Sequence, residues 1–193
     1  LGAQNAFWEI EGAFTGEISV EMIKDAGGGY VILGHSERRR LGETDEIVNK
    51  KIITCLKAGL KVVLCVGEKI RDEQGAYLEF LRDEISGSLN KVQKKFIKNI
   101  IIAYEPIWAI GKSDTEAMTP ADIHEMVIYI KKILSEMYGK ESGLNAPILY
   151  GGSVGSKNAS DIIKNGGVGG LLVGHQSLKA EIFGEILNIV ENL

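Results

Sequence analysis

Asn99-Ile100-Ile101-Ile102-Ala103-Tyr104-Glu105-Pro106-Ile107-Trp108-Ala109-Ile110-Gly111-Lys112-Ser113 is the stretch from which the fold can be read. Its first five residues form an apolar, mostly β-branched run, short enough for a strand buried on both faces. The run ends on a carboxylate, and Pro106 then stops further ladder pairing. Glu105 is thereby placed at the C-terminal mouth of a buried strand. A Trp, small or apolar residues, a Gly and a Ser follow, which reads as a loop with anchored ends and a flexible exit. A carboxylate base beside a closing lid suits proton abstraction in a site that excludes water. An ordinary strand-end turn with a solvated Glu105 is the other reading of this segment.

Outward from it, strands and helices alternate. Strand patterns lie at Leu1 to Asn5, Tyr30 to Leu33, Lys61 to Val66, Ile100 to Ala103, Pro147 to Tyr150 and Leu171 to Val173. Helical spacing runs over Glu17 to Ala26, about Asp45 to Ala58, Ala76 to Leu89, Ala159 to Lys164 and Ala180 to Asn192. A further helix starts at Pro120, which fits a first turn, with Ile123, Val127, Ile130, Ile133 and Leu134 as its apolar face. No hairpin signal separates the strands, so the pattern requires an α/β fold with parallel strands and right-handed crossovers. The repeat of about 32 residues is near that of a (β/α)8 barrel. An open doubly wound sheet is the rival. The barrel is favoured because Asn5, His35, Glu68, Glu105, Ser153 and Gly174 all follow strand C-termini and would converge on one face.

The length of 193 residues fits one domain, 1–193. With 45% hydrophobic and 25% charged residues and a net charge of −4, the chain has neither a basic stripe for nucleic acid nor an acidic tail. No apolar run reaches the roughly 20 residues of a membrane span, and the start carries no signal-type segment. Cys55 and Cys65 read as small buried hydrophobes in a reducing compartment, which points to the cytoplasm. Neither has metal-ligand neighbours, so no metal is expected.

Other groups of residues carry chemistry. In Gly34-His35-Ser36-Glu37-Arg38-Arg39 a histidine stands at a strand end where a helix begins. Backbone N–H groups pointing at its ring would disfavour the imidazolium and leave a neutral hydrogen-bond donor for a carbonyl oxygen. A histidine at an ordinary helix start, with Glu37 and Arg38 as a surface pair, is the alternative. Tyr150-Gly151-Gly152-Ser153-Val154 and Val173-Gly174-His175-Gln176-Ser177 turn through Gly towards a short helix, where backbone amides can cradle a phosphate. His124 reads as a surface residue. Trp8 and Phe14 flank a Gly-rich loop that is either a contact surface or folded back on itself.

Together these segments resemble triosephosphate isomerase. The matching runs are Gly2 to Asn5, Gly12 to Glu17, Gly34 to Arg39, Leu64 to Glu68, Tyr104 to Gly111, Gly151 to Val154, and Leu172 to Gly174 with Ser177-Leu178. They occur in the family's order and span nearly the whole chain. The resemblance implies that Glu105 moves a proton between two carbons of a triose phosphate, with His35 as the neutral electrophile and Glu37 as a supporting carboxylate. It implies a lid of Ile107, Trp108, Ala109, Ile110, Gly111 and Lys112, and phosphate-binding amides at Gly111, Ser153, Gly174 and His175. The neutral histidine and the closing loop are established features of that family. The reaction needs a base and an electrophile but no cofactor.

The departure is at the N-terminal side. The family's first strand ends in an Asn-x-Lys element, whose ammonium stabilises the phosphate and the enediolate charge. Leu1 to Asn5 resembles the family's third strand, so the resemblance implies an N-terminally truncated, incomplete barrel of about six β/α units. Lys69 and Lys112 lie on mouth loops, but nothing in the sequence assigns either to the missing role. Two expectations follow: very weak isomerase activity, or a catalytically silent barrel serving as a structural, self-assembling or phosphate-binding module. Glu105 and His35 are expected to face one side. Two exposed sheet edges predict a homo-oligomer covering the opening, with closure of the terminal strands into a smaller barrel as the contrary outcome.

Overall fold

A computed structural model of the chain describes residues 1–111 and 117–193. Its elements run β1 (Gly2–Ala3), α1 (Val20–Asp25), β2 (Tyr30–Leu33), α2 (Ser36–Arg40), α3 (Asp45–Lys57), β3 (Lys61–Val66) and α4 (Ala76–Ser88). They continue with β4 (Ile100–Tyr104), α5 (Pro120–Tyr138), α6 (Lys140–Leu144), β5 (Ile148–Tyr150), α7 (Ala159–Asn165), β6 (Gly170–Leu171) and α8 (Ala180–Glu191). Short 3-10 turns occupy Lys94–Asn99, Ile107–Ala109 and His175–Leu178.

All six strands are parallel, and each pairs with its successor, in the order β1-β2-β3-β4-β5-β6. Registers such as Leu64 opposite Ile102 and Val66 opposite Tyr104 bring the strand C-termini to one edge. Among the described residues β6 does not pair with β1. The curled sheet is therefore an incomplete barrel, and the smaller closed barrel does not form.

Alternation along each strand divides the core in two. Val62, Leu64 and Val66 pack outward with the helices, together with Ile102, Ile130 and Ile133. Val63, Cys65 and Ala103 form a separate inward cluster. Ile32, Ile101, Leu149 and Leu172 join that cluster but are only partly buried. In a closed barrel such residues would fill the interior layers; here the open side leaves them half-covered. At the far end of the chain α8 buries Ile186, while Leu187 and Val190 remain exposed.

Helix starts follow local chemistry. Ser19, Thr44 and Thr119 cap α1, α3 and α5, each side chain accepting an N–H three residues on. The five apolar residues expected on α5 are all buried. Gly139, at φ 93, ends that helix.

The structure corrects several boundaries. β1 and β6 have only two paired residues each, because an edge strand finds partners on one side alone. α2 and α6, five residues each, are too short to show a helical period. The Trp8–Phe14 loop is folded back on itself, with the Phe7 and Phe14 rings 4.7 Å apart. His124 is exposed. Both cysteines are free and buried, and burial pushes the Cys55 thiol up to about 12. No helix among the described residues is long and apolar enough to cross a membrane.

Candidate active site

Glu105 follows β4 directly, and its N–H donates to the Val66 carbonyl at 2.8 Å, extending the ladder by one residue before Pro106 ends it. Its side chain is 3% exposed, and both oxygens are engaged. Oε1 lies 3.1 Å from His35 Nε2, and Oε2 accepts the Ser36 N–H at 3.2 Å. Glu105 and His35 thus meet at the C-terminal edge of the sheet although they stand on non-adjacent strands, β4 and β2. Ser36 has no reactive group in this contact. It contributes a main-chain amide at the start of α2, which residue type alone does not reveal.

His35 caps α2, and its Nδ1 accepts the Glu37 N–H at 3.2 Å. The ring's remaining nitrogen therefore carries the proton donated towards Glu105. The amide is where the sequence reading put it, but the direction of the shift is corrected. The hydrogen bond that His35 donates to Glu105 raises the imidazole above its ordinary value, against the opposing effect of burial. A carboxylate at hydrogen-bonding distance outweighs one helix-end amide. Glu37 itself is exposed, and its direct contact with His35 is made by its backbone.

The turn at Ile107–Ala109, just after Glu105, is anchored by its own set of bonds. Glu68, 1% exposed, accepts Tyr104 Oη–H at 2.9 Å and Trp108 Nε1–H at 2.8 Å on one oxygen. Its carbonyl takes the Ile107 N–H at 3.0 Å. Burial and the Glu68 carboxylate push the Tyr104 hydroxyl far up, so it stays a donor. Ala109 is buried, and its carbonyl accepts Ser153 Oγ–H at 2.8 Å, which ties the turn after β4 to the turn after β5. Ile110 is exposed, and Gly111 takes φ 74 with open space around it. Lys112 lies outside the described residues.

The remaining expected residues sit further away. Gly174 and His175 follow β6, two strands from Glu105, and both are exposed. Lys69 is exposed after β3, and among the described residues it makes no ion pair. Gly151 was matched by sequence but its reason is structural: a Cβ there would come within 2.9 Å of Glu105 Cγ.

Chemically, a buried carboxylate facing an imidazole N–H at a strand-end mouth can exchange a proton with a carbon acid whose carbonyl the imidazole polarises. Residues 1–190 match the family model described as triosephosphate isomerase. Curated proteins named triosephosphate isomerase are similar over nearly the whole chain. The one from Thermoanaerobacter pseudethanolicus is 44% identical over 190 residues, covering 97% of this chain and 76% of the relative. Those from Geotalea uraniireducens and Geobacter metallireducens are 44% and 45% identical, covering 99% and 97% of this chain and 76% and 75% of their own lengths. On this identity and coverage, over a sheet whose mouth holds the Glu105–His35 pair, the chain belongs to the triosephosphate isomerase family.

Proposed function

We propose that the chain acts on dihydroxyacetone phosphate and glyceraldehyde 3-phosphate, interconverting them through an enediolate, the step shared by glycolysis and gluconeogenesis. The observation that carries this reading is the 3.1 Å contact between Glu105 Oε1 and His35 Nε2 at the sheet mouth. Glu105 takes the proton from the carbon beside the carbonyl and returns it to the neighbouring carbon. His35 Nε2–H holds the carbonyl oxygen as charge builds on it. When Glu105 turns to the substrate it leaves Nε2, and the Glu37 amide at Nδ1 then favours the neutral ring. Glu37 supports this arrangement. Amides at Gly111, Ser153, Gly174 and His175 take the phosphate, and residues 107–112 close over it. No cofactor takes part.

Turnover by this chain alone is slow in this reading. Among the described residues no Lys or Arg pairs with Glu105, so none of them supplies a cation beside the base. Losing one oxyanion donor costs on the order of 10²–10³ in rate, and water enters through the open side. The exposed apolar residues of α8 and the two sheet edges support a homo-oligomer covering the gap. The same features favour the second reading, a silent barrel that assembles without turnover. The free, buried thiols suit a reducing cytoplasm.

The test is an isomerase assay on chain purified from a host lacking its own enzyme, beside Glu105→Gln. Slow turnover abolished by the substitution is the expected result. Equal rates for the two proteins overturn catalysis in favour of the silent module. Light scattering at micromolar concentration decides assembly, and a clean monomer overturns the oligomer.

A further inference from the structure

Behind the Glu105–His35 pair, Arg39 and Glu84 link the main chain at the end of β2, which carries His35, to that at the end of β3, which packs against Glu105. Arg39 Nε donates to the carbonyl of Gly34, the residue before His35, at 2.7 Å. Glu84 Oε2 accepts the Gly67 N–H at 2.7 Å, and Glu84 Oε1 lies 3.3 Å from Arg39 Nε. Asp45 Oδ1 and Ser88 Oγ, at 2.6 and 3.1 Å, hold the rest of the guanidinium. Gly67 is pressed on Glu105, because a Cβ there would overlap the Glu105 carbonyl. Gly34, at φ 71, is crowded from the other side by Arg39 and the Cys65 carbonyl.

We propose that Arg39 and Glu84 form a positioning brace that sets the spacing between the Gly34–His35 end of β2 and the Gly67 end of β3, against which Glu105 packs, and through it the contact between Glu105 and His35. The inference rests on the acid–base reading of that contact given above. A buried ion pair is a poor source of stability by itself, since desolvation offsets most of its attraction. What sets this one apart is where its other bonds go. Arg39 Nε and Glu84 Oε2 both end on peptide groups at the mouth, one directly before the histidine and one packed against the base.

The surroundings of Glu84 make the brace sensitive to pH. It is 5% exposed and faces Arg39 from α2, Asp45 from the start of α3, Cys65 on β3, and Glu105 after β4. Burial pushes its carboxyl up to about 7, opposed by Arg39 and the Gly67 amide and assisted by Asp45 and Glu105. Protonation turns one oxygen from acceptor to donor and loosens the hold on Arg39 and Gly67.

The test follows backbone amides and the His35 ring by NMR through neutral pH, in the unsubstituted chain, Glu84→Gln, Glu84→Met and Glu105→Gln. In the unsubstituted chain the Gly67 and Glu105 amides are expected to move together, with a matching inflection in the His35 ring. Glu84→Gln keeps an acceptor for Gly67 and is expected to abolish that inflection while leaving the His35 midpoint nearly unchanged. Glu84→Met removes the acceptor and is expected to move the Glu105 amide and lower the His35 midpoint by about half a unit or more. A Met variant with Glu105 and His35 unmoved overturns the brace. Should that variant not fold, the unsubstituted chain decides, and a Gly67 titration that reaches neither Glu105 nor His35 overturns it. Glu105→Gln separates the two readings: a His35 midpoint indifferent to it overturns the acid–base pair, while the Glu105 amide still judges the brace.

Discussion

Gly151 lies against Glu105 so closely that a methyl group at 151 would approach Glu105 Cγ to 2.9 Å. The turn after β5 thus forms one wall of the slot that holds the carboxylate over His35 and Ser36. Gly151→Ala is expected to push Glu105 off one or both of its hydrogen bonds and to destabilise the chain by about 1–3 kcal/mol, the usual cost of overpacking. A fall in the His35 titration midpoint, read by NMR beside a urea melt, checks this. An unchanged midpoint would mean that the backbone at 151 gives way instead.

The His35–Glu105 contact makes stability depend on pH in a defined sense. The imidazole is raised in the folded chain, so its contribution is fully present below its unfolded value near 6.5 and is lost as pH rises through the higher folded value. Glu105→Gln removes that contribution. The stability gap between the two proteins is therefore expected to be wider at pH 5.5 than at pH 9, as measured by urea denaturation at both. A gap that widens towards high pH would contradict the assignment.

Trp108 and Glu68 supply a second test, at the turn that follows Glu105. Trp108→Phe keeps an aromatic ring, though a smaller one, and deletes the Nε1–H donor 2.8 Å from a carboxylate that is 1% exposed. Hydrogen bonds to charged groups contribute about 1.5–3 kcal/mol, and a loss in that range is expected. Trp108→Phe in a Glu68→Gln background should cost less than in the parent, since the partner is no longer charged. A double-mutant cycle with no coupling would show that the hydrogen bond does not anchor the Ile107–Ala109 turn.

Lys51 is the deepest cation described, 2% exposed, held by Glu43 and by Asn5 Oδ1 at 2.9 Å. Lys51→Met leaves the Glu43 carboxylate buried with Arg38 as its remaining charged partner. Removing one member of such a pair costs about 3–5 kcal/mol. The double substitution Lys51→Met/Glu43→Leu is expected to recover part of that loss, because no unpaired charge stays behind. Burial disfavours the Glu43 carboxylate, but the hydrogen bonds from Lys51 and Arg38 outweigh it and hold Glu43 below the usual carboxylate range. Stability from Glu43 is thus present above its unfolded value and lost as pH falls through the lower folded one. Thermal melts of the three proteins between pH 7 and pH 3 read both effects.

Much of this architecture is legible in the chain itself because the strands are continuous apolar runs. Tyr30 to Leu33 and Lys61 to Val66 end where the structure ends them. Pro106 marks the close of β4, and Thr119-Pro120 marks the start of α5. What the residues alone did not disclose depends on partners distant in sequence. The upward direction of the His35 shift needs Glu105, seventy positions away. The Ser36 amide and the Glu84 acceptor act through backbone bonds that no side-chain pattern signals. Gly67 and Gly151 look like ordinary turn glycines until Glu105 is seen beside them.

The strand order has a consequence for how the chain comes apart. Among the described residues every strand pairs only with its neighbours in sequence, so the sheet behaves as a short one-dimensional array in which each strand is supported by those on either side. β3 and β4 stand in the middle of that array, with a strand on each side, whereas β1 and β6 are end caps with half the support. Unravelling should therefore proceed inward from both termini, and amide exchange should be fastest at Gly2–Ala3 and Gly170–Leu171 and slowest at Leu64 and Ile102. Glu105, just after β4, sits in the last part to open, and Gly174 and His175, after β6, in one of the first.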